Sequence, residues 1–375
     1  MNKKILMLMA ESGSGHKIPA LAIKQSLLNI DNTLDIEVMD VAKELKCDKL
    51  DKFLKNNWQF ILSHPILLTI SYPFLKTRVS HGLIQFGAIK LTKRLYNYIR
   101  MMQQDLIFTS YFAYAQLLGH LKKRGKISVP TAVLVTDAFS PHRSWINRNN
   151  TYTILYSRNV KKRLMKYGLK QEQIQIMDFP LRPEFQNQNK NPKPFRKKLG
   201  LRESIFTVVL VSGGEGIGNL YQFIQPFIKE NPKLQMVVIC GKNEKLKKQL
   251  EKVSSSLKTK YFSLKVFGFV TNMHEFIAAS DIMMGKSGIS FMFESLIYSK
   301  PMIITQTLAN ERPALNFFLK HRVCWFETDP YKAYKQVIKV LENRNLYEQY
   351  VKNIKKLSIK NGSDQIALLL YKCLK

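Results

Sequence analysis

Short apolar runs alternate with stretches of helical periodicity along almost the whole chain, and this alternation limits the fold more than any other feature. The early runs are Ile5–Met9, Ile36–Val41, Leu106–Ser110, Ala132–Thr136 and Thr153–Ser157. The later ones are Phe206–Val211, Met236–Cys240, Leu264–Phe267, Ile282–Met284 and Met302–Thr305. Short buried strands separated by helices predict parallel sheets and an α/β class. Between the two series lies "QNQNKNPKPFRKK", Gln186 to Lys198, polar, charged and proline-bearing, which reads as an interdomain linker. A fresh strand then runs into a second glycine-rich turn, so the pattern restarts. The expectation is two Rossmann-like domains facing a central cleft, each with a glycine turn at the carboxyl edge of its first strand, where such sheets take ligands.

The chain has 375 residues and 45% hydrophobic content, enough for two buried cores. Charge is the outlier: 59 Lys+Arg against 27 Asp+Glu leave a net +32. Such a surplus calls for an anionic partner, and three classes qualify: nucleic acid, anionic lipid or phosphorylated substrates. No zinc-finger spacing, aromatic RNA-binding motif or basic recognition helix supports nucleic acid. Cys47, Cys240, Cys324 and Cys373 are scattered and predict free thiols, and no His/Cys/Asp cluster has metal-ligand spacing. The opening "MNKKILMLMAESG" is cut short by Glu11, too early for a signal-peptide core, and reads as a first strand. The longest apolar candidate for a membrane span, Trp58–Leu75, is broken by Gln59, His64, Pro65 and Pro73.

The stretch Cys47–Gln103 mixes aromatics with lysine and arginine, as in "LTKRLYNYIRMMQQ". Amphipathic segments of this composition suit a membrane interface, with Trp58, Phe60, Phe74, Lys93 and Arg94 as contacts. The alternative is that the apolar residues pack inside the first domain.

Three constellations carry chemistry. "AESGSGHKIPALAIKQSL" sets Gly15 and His16 on a turn of small residues between a strand and a helix. "VVLVSGGEGIGNLYQFI" ends a strand at Val211 and places Gly213, Gly214, Gly216 and Gly218, around Glu215, before a helix. Glycines there let a phosphate approach backbone amides. It is neither a dinucleotide fingerprint, since Asn219 stands where the third glycine belongs, nor a Walker A loop. Third, "GKSG", Gly285–Gly288, precedes a helix carrying Glu294, a carboxylate able to accept both hydroxyls of a ribose or to complement the helix dipole.

Taken in order, these blocks with "VVICGKNEKL", "VFGFVTNM", "VLVTDAFSPHRSW" and "FPLRPEF" resemble the lipid glycosyltransferase family of monogalactosyldiacylglycerol synthases and processive diacylglycerol glucosyltransferases. The resemblance implies a GT-B fold: residues 1–187 for the acceptor and membrane, residues 188–355 for a UDP-sugar, and a helix over 356–375 that can cross back to the first domain. It implies that backbone at Phe269 and Val270 holds the uracil and Glu294 the ribose. The Gly213–Gly218 turn with Lys286, Ser287 and Gly288 would lie by the diphosphate, and Asn310 with Glu311 would grip the donor hexose. Gly15 and His142 would lie on the acceptor or phosphate side. The implied reaction is a single inverting displacement at the anomeric carbon, without a cofactor or essential metal, at the cytoplasmic face of the cell membrane. His16 is the expected base, since its ordinary pKa of roughly 6.5 suits neutral pH. Asp137 is either the alternative base or a group that orients His16; His16 could instead cap its helix or bind the donor diphosphate. There are departures from the family pattern: Ile289 and Phe291 replace a glycine and a threonine, and Tyr111-Phe112 replaces His-Pro after "DLIFTS". Two other activities share features with this one: transfer of N-acetylglucosamine to a polyprenyl-diphosphate-linked precursor, and non-catalytic binding of anionic lipid or RNA.

Overall fold

The computed structural model describes residues 2–10, 14–45, 89–186, 190–214, 216, 220–257, 259 and 261–375. Glu11, Cys47, Trp58, Phe60, Phe74, Glu215 and Gly218 lie outside the described residues, as does the whole of Trp58–Leu75. The chain divides into two compact units, Met1–Pro183 with Lys360–Lys375, and Glu184–Ile359. The first division falls four residues before the expected 187/188, and the return segment starts at Lys360 rather than residue 356.

The first unit contains six parallel strands: β1 (Lys4–Met9), β2 (Asp35–Asp40), β3 (Leu106–Thr109), β4 (Thr131–Leu134), β5 (Tyr152–Leu155) and β6 (Ile174–Ile176). Their order is β2-β1-β3-β4-β5-β6. Alternate residues of β1 serve opposite faces: Ile5 and Met7 enter one core cluster, Leu6 and Leu8 another. Both faces are covered, which is why the strand reads as an unbroken apolar run. On one face the helix Ser14–Ile30 contributes Ala20, Ile23 and Leu27, and the last helix, Ser363–Lys372, packs there through Ile366, Ala367 and Leu370. Asn361 ties the return segment to the first unit: its Oδ1 accepts from Leu181 N at 2.9 Å, and its Nδ2 donates to Leu181 O at 2.9 Å.

The second unit repeats the plan: β7 (Thr207–Val211), β8 (Gln235–Ile239), β9 (Ser263–Phe267), β10 (Ile282–Lys286), β11 (Met302–Gln306) and β12 (Cys324–Phe326), all parallel, in the order β12-β11-β10-β7-β8-β9. The central strands match the sequence-based expectation within a residue or two at most ends. The edge strands β6 and β12 were not expected, since three residues each are too short to show a period.

Two expectations are corrected. Part of the proposed linker is a helix, Pro192–Lys198, with Pro192 in its first turn and Asn191 Oδ1 capping Lys193 N at 3.1 Å. Its anchor is a buried cation: Arg196 donates through Nε to Ala279 O (2.8 Å), through Nη1 to Glu203 O (2.7 Å) and through Nη2 to Asp281 Oδ2 (2.6 Å). An arginine in this role leaves no apolar period to read. Second, the helix Ile89–Met102, which overlaps "LTKRLYNYIRMMQQ", does not turn its apolar stripe to a membrane. Leu91, Leu95 and Ile99 are buried in the first unit's core, while Lys93, Arg94 and Arg100 are exposed. Among the described residues, no helix is long and apolar enough to cross a membrane.

Candidate active site

Each strand order reverses direction once, and open α/β sheets take ligands outside the carboxyl ends of the strands at that point. In the first unit the reversal lies between β1 and β3, in the second between β7 and β10. His16, the Gly213–Gly214 turn and Ser287–Gly288 follow β1, β7 and β10, and the other candidate residues follow β4, β9 and β11.

His16 is the third residue of the helix after β1, and Ser110 directly follows β3. The imidazole spans the reversal: Nδ1 lies 2.6 Å from Ser110 O, and the Ser110 hydroxyl returns a bond to His16 O at 2.9 Å. A carbonyl only accepts, so Nδ1 carries the proton and Nε2 keeps the lone pair. The Thr136 hydroxyl stands 3.4 Å from Nδ1. Burial lowers the His16 pKa below its ordinary value, while Asp137 and the Ser110 carbonyl pull it partly back. The ring is therefore neutral at pH 7. It sits edge-on to Tyr111, centroids 5.2 Å apart, and 6.3 Å from Trp145. Among the described residues, a Cβ built at Gly15 would meet nothing within 4 Å.

His16 Nδ1 is engaged by a main-chain carbonyl, and Asp137 acts on the ring through its charge. Asp137 Oδ2 accepts from Trp145 Nε1 at 3.1 Å and lies 3.9 Å from His142 Nε2. His142 is buried and packs edge-on against Phe112. Tyr111 and Phe112, the departure after β3, are ring neighbours in this same cluster. Burial and Asp40 push the Tyr111 hydroxyl up to about 12.

In the second unit the glycines divide into two kinds. Gly213 and Gly214 are exposed, and among the described residues a Cβ at either would meet nothing within 4 Å, although Gly213, at φ 80°, still needs glycine's conformational freedom. Gly216 and Gly241 are demanded by packing. Both have positive φ, and a Cβ on Gly241 would lie 2.5 Å from Gly213 O. The loop after β8 thus clamps the turn after β7: Lys242 N donates to Gly214 O at 3.0 Å, and Asn243 Nδ2 to Gly216 O at 3.0 Å. Asn243 Oδ1 also caps the next helix at Leu246 N.

After β10, Lys286, Ser287 and Gly288 lead into the helix Ile289–Ile297, with Gly288 as its N-cap and Glu294 buried within it. Phe291 fills space beside Gly285: a Cβ there would meet the Phe291 ring at 3.3 Å and Val211 O at 3.0 Å. Burial lowers the Lys286 pKa, against the pull of Glu311. The Ser287 hydroxyl lies 2.7 Å from Glu311 Oε2 and 2.7 Å from Thr307 Oγ1. Phe269 is 59% exposed, a large apolar surface at the loop after β9, with Val270 half-buried beside it. Asn310 lies in the loop after β11, immediately before Glu311. Among the described residues, no group of three or more His, Cys, Asp or Glu is placed to hold a metal ion.

Ser110, Thr136, Gly241, Asn243 and Thr307 escaped the sequence reading. Each is a polar or small residue just past a strand end, the one signal that could have marked them.

Two parallel-sheet units with loops of this kind at their reversals make a GT-B fold. Residues 16–181 match the family model for monogalactosyldiacylglycerol synthase, and residues 207–310 match that for the glycosyltransferase family 28 C-terminal domain. The chain is 28% identical over 328 residues to a probable chloroplastic monogalactosyldiacylglycerol synthase of Glycine max, covering 82% of this chain and 59% of that protein. It is 28% identical over 322 residues to a processive diacylglycerol beta-glucosyltransferase of Bacillus cereus, covering 81% of this chain and 76% of that one. The chain spans only about 60% of the length of the Glycine max, Spinacia oleracea and Nicotiana tabacum relatives it matches. Among solved structures, Acinetobacter baumannii MurG superposes with a TM-score of 0.63 at 14% identity, over 99% of both chains. An Anabaena HepE structure in complex with UDP-glucose gives 0.57 at 12% identity, covering 98% of this chain and 99% of that one. The chain is thus similar in sequence to monogalactosyldiacylglycerol synthases and processive diacylglycerol glucosyltransferases along both units.

Proposed function

We propose that this protein transfers a hexose, glucose or galactose, from a UDP-sugar to the free hydroxyl of diacylglycerol, with inversion. The observation that carries the chemistry is the fixed tautomer of His16: Nδ1–H is engaged by Ser110 O, so Nε2 is the proton acceptor. As the acceptor oxygen bonds to the anomeric carbon, its proton passes to Nε2. The bond from the anomeric carbon to the β-phosphate oxygen breaks, and UDP leaves. A positioned base of this kind contributes about 10²- to 10⁴-fold.

The second unit serves the donor. Phe269 and Val270 offer an apolar edge and main chain to the uracil, and Glu294 accepts from the ribose. The amides of the open Gly213–Gly214 turn, Lys286 and the start of the helix Ile289–Ile297 face the leaving diphosphate with positive charge. Protein groups therefore supply the charge compensation, and UDP-sugar enters as a substrate rather than a cofactor. Asn310 and Glu311 hold the hexose. Diacylglycerol as acceptor is supported by the names of relatives that cover both units. Exposed cations such as Lys93 and Arg94, on a chain of net charge +32, support peripheral attachment to an anionic cytoplasmic leaflet. Each is worth about 1 kcal/mol near such a surface.

The test is incubation with radiolabelled UDP-glucose or UDP-galactose and vesicles containing diacylglycerol. Label moving into a glycosylated diacylglycerol band is the expected result. Label only in a polyprenyl lipid, or no turnover with vesicle binding intact, overturns the proposal.

A further inference from the structure

The register between β10 and β11 shifts at Gly285/Lys286: Gly285 pairs with Ile304, but Lys286 pairs with Gln306. Thr305 is the extra residue, and such a bulge re-aims the side chains beyond it. Past it, Ser287 N donates to Gln306 O at 2.9 Å, and the Ser287 and Thr307 side chains meet. Ser287 is fully buried, so its hydroxyl must be spent inside the protein.

We propose that Ser287 is a positioning residue that, with Thr307, fixes the Glu311 carboxylate for recognition of the donor hexose. A carboxylate only accepts, so the single Ser287 proton goes to Glu311 Oε2, 2.7 Å away. The 2.7 Å contact with Thr307 is then donated by Thr307, whose other acceptor, Leu308 O, is more distant at 3.3 Å. Leu308 N approaches the same Oε2 at 3.4 Å. The result is a directed relay, Thr307 to Ser287 to Glu311, that holds one carboxylate oxygen from two sides and sets the plane of the group. Glucose and galactose differ in the orientation of one hydroxyl. Discriminating them requires an acceptor whose position is fixed, because a swinging carboxylate can follow either epimer.

This rests on the donor-hexose role given to Glu311 above, and the test is read by binding so that it does not depend on turnover. Calorimetry with UDP, UDP-glucose and UDP-galactose would be run on the full chain and on the Ser287→Ala, Thr307→Val and Ser287→Thr variants. The buried Ser287 hydroxyl is committed to Glu311 rather than to the diphosphate expected from the sequence, so UDP affinity should stay within about twofold in Ser287→Ala, while the preference between the two UDP-hexoses changes about tenfold, the size of one charge-assisted hydrogen bond. Thr307→Val shifts the preference in the same direction but less, and Ser287→Thr, which keeps the hydroxyl, restores it. In a Glu311→Gln background Ser287→Ala adds nothing, because its route is gone. An unchanged hexose preference in both Ser287→Ala and Thr307→Val overturns the proposal, as do additive effects with Glu311→Gln. If the parent chain binds UDP-hexose with a clear preference yet glycosylates no diacylglycerol, the acceptor assignment fails and the Ser287 proposal is still decided by the same affinities.

Discussion

The two units use the same place in the same sheet plan for opposite purposes. At the β1/β3 reversal the first unit presents a side chain: His16, gripped twice by Ser110 and walled by Tyr111 and Trp145. At the β7/β10 reversal the second unit presents main chain, two open glycines followed past β10 by a helix start, and keeps its charged groups, Lys286, Glu294 and Glu311, set back around it. A proton acceptor needs one atom in one place. A nucleotide diphosphate needs many weak donors over a wide area. One topology delivers either, depending on whether the residues past the strand carry bulk or none.

The largest expected effect isolates the first unit. His16→Ala should lower kcat by about 10²- to 10⁴-fold and leave UDP affinity unchanged by calorimetry. A fully active variant would remove the imidazole from the mechanism. Its mirror in the second unit is Glu294→Ala, expected to weaken UDP binding by about 10- to 100-fold; equal UDP affinity would strike out the ribose contact. Next, the two kinds of glycine can be separated. Gly241→Ala forces a Cβ against Gly213 O at positive φ and should cost roughly 1–3 kcal/mol of stability. Gly214→Ala meets nothing among the described residues and should leave the thermal midpoint unmoved while UDP affinity falls several-fold. Similar melting curves for the two variants would erase the distinction between packed and ligand-facing glycines.

The pH profile of kcat is a finer probe of the first unit. Under the proposed mechanism the neutral ring acts as the base, and burial lowers its pKa below the ordinary roughly 6.5. The active form therefore persists through the neutral range, and kcat should fall only as pH drops below that value. An acid limb centred above pH 7 would contradict the burial. The smallest effect concerns the second unit: if its amides and Lys286 compensate the diphosphate, EDTA should leave the initial rate unchanged. Loss of activity restored by a divalent cation would show that they do not suffice.

The central strands were legible because both faces of each sheet are covered, so residues such as Ile5 to Met9 form a continuous apolar run. β6 and β12 were not, because a three-residue edge strand has no run to show. His16, Glu294 and the glycines were legible by residue type next to a strand end. Their partners were not: Ser110 is 94 residues from His16, and only the parallel pairing of β1 with β3 brings them together. Helix Pro192–Lys198 was hidden by its anchor, since an arginine bonded to two carbonyls and an aspartate leaves no hydrophobic trace. The amphipathic helix Ile89–Met102 showed its stripe clearly, but a stripe does not say whether lipid or protein will cover it.

The helix Ser363–Lys372 lies against the very helix that bears His16, although almost the whole sequence separates them. During synthesis the helix that bears His16 therefore gains its contact with Ser363–Lys372 only after that segment has left the ribosome. The second unit can mature while the first still waits for its closing piece. A chain stopped near residue 359 would carry every group assigned to the reaction, yet lack Ile366, Ala367 and Leu370, which share one core cluster with Ala20, Ile23 and Leu27.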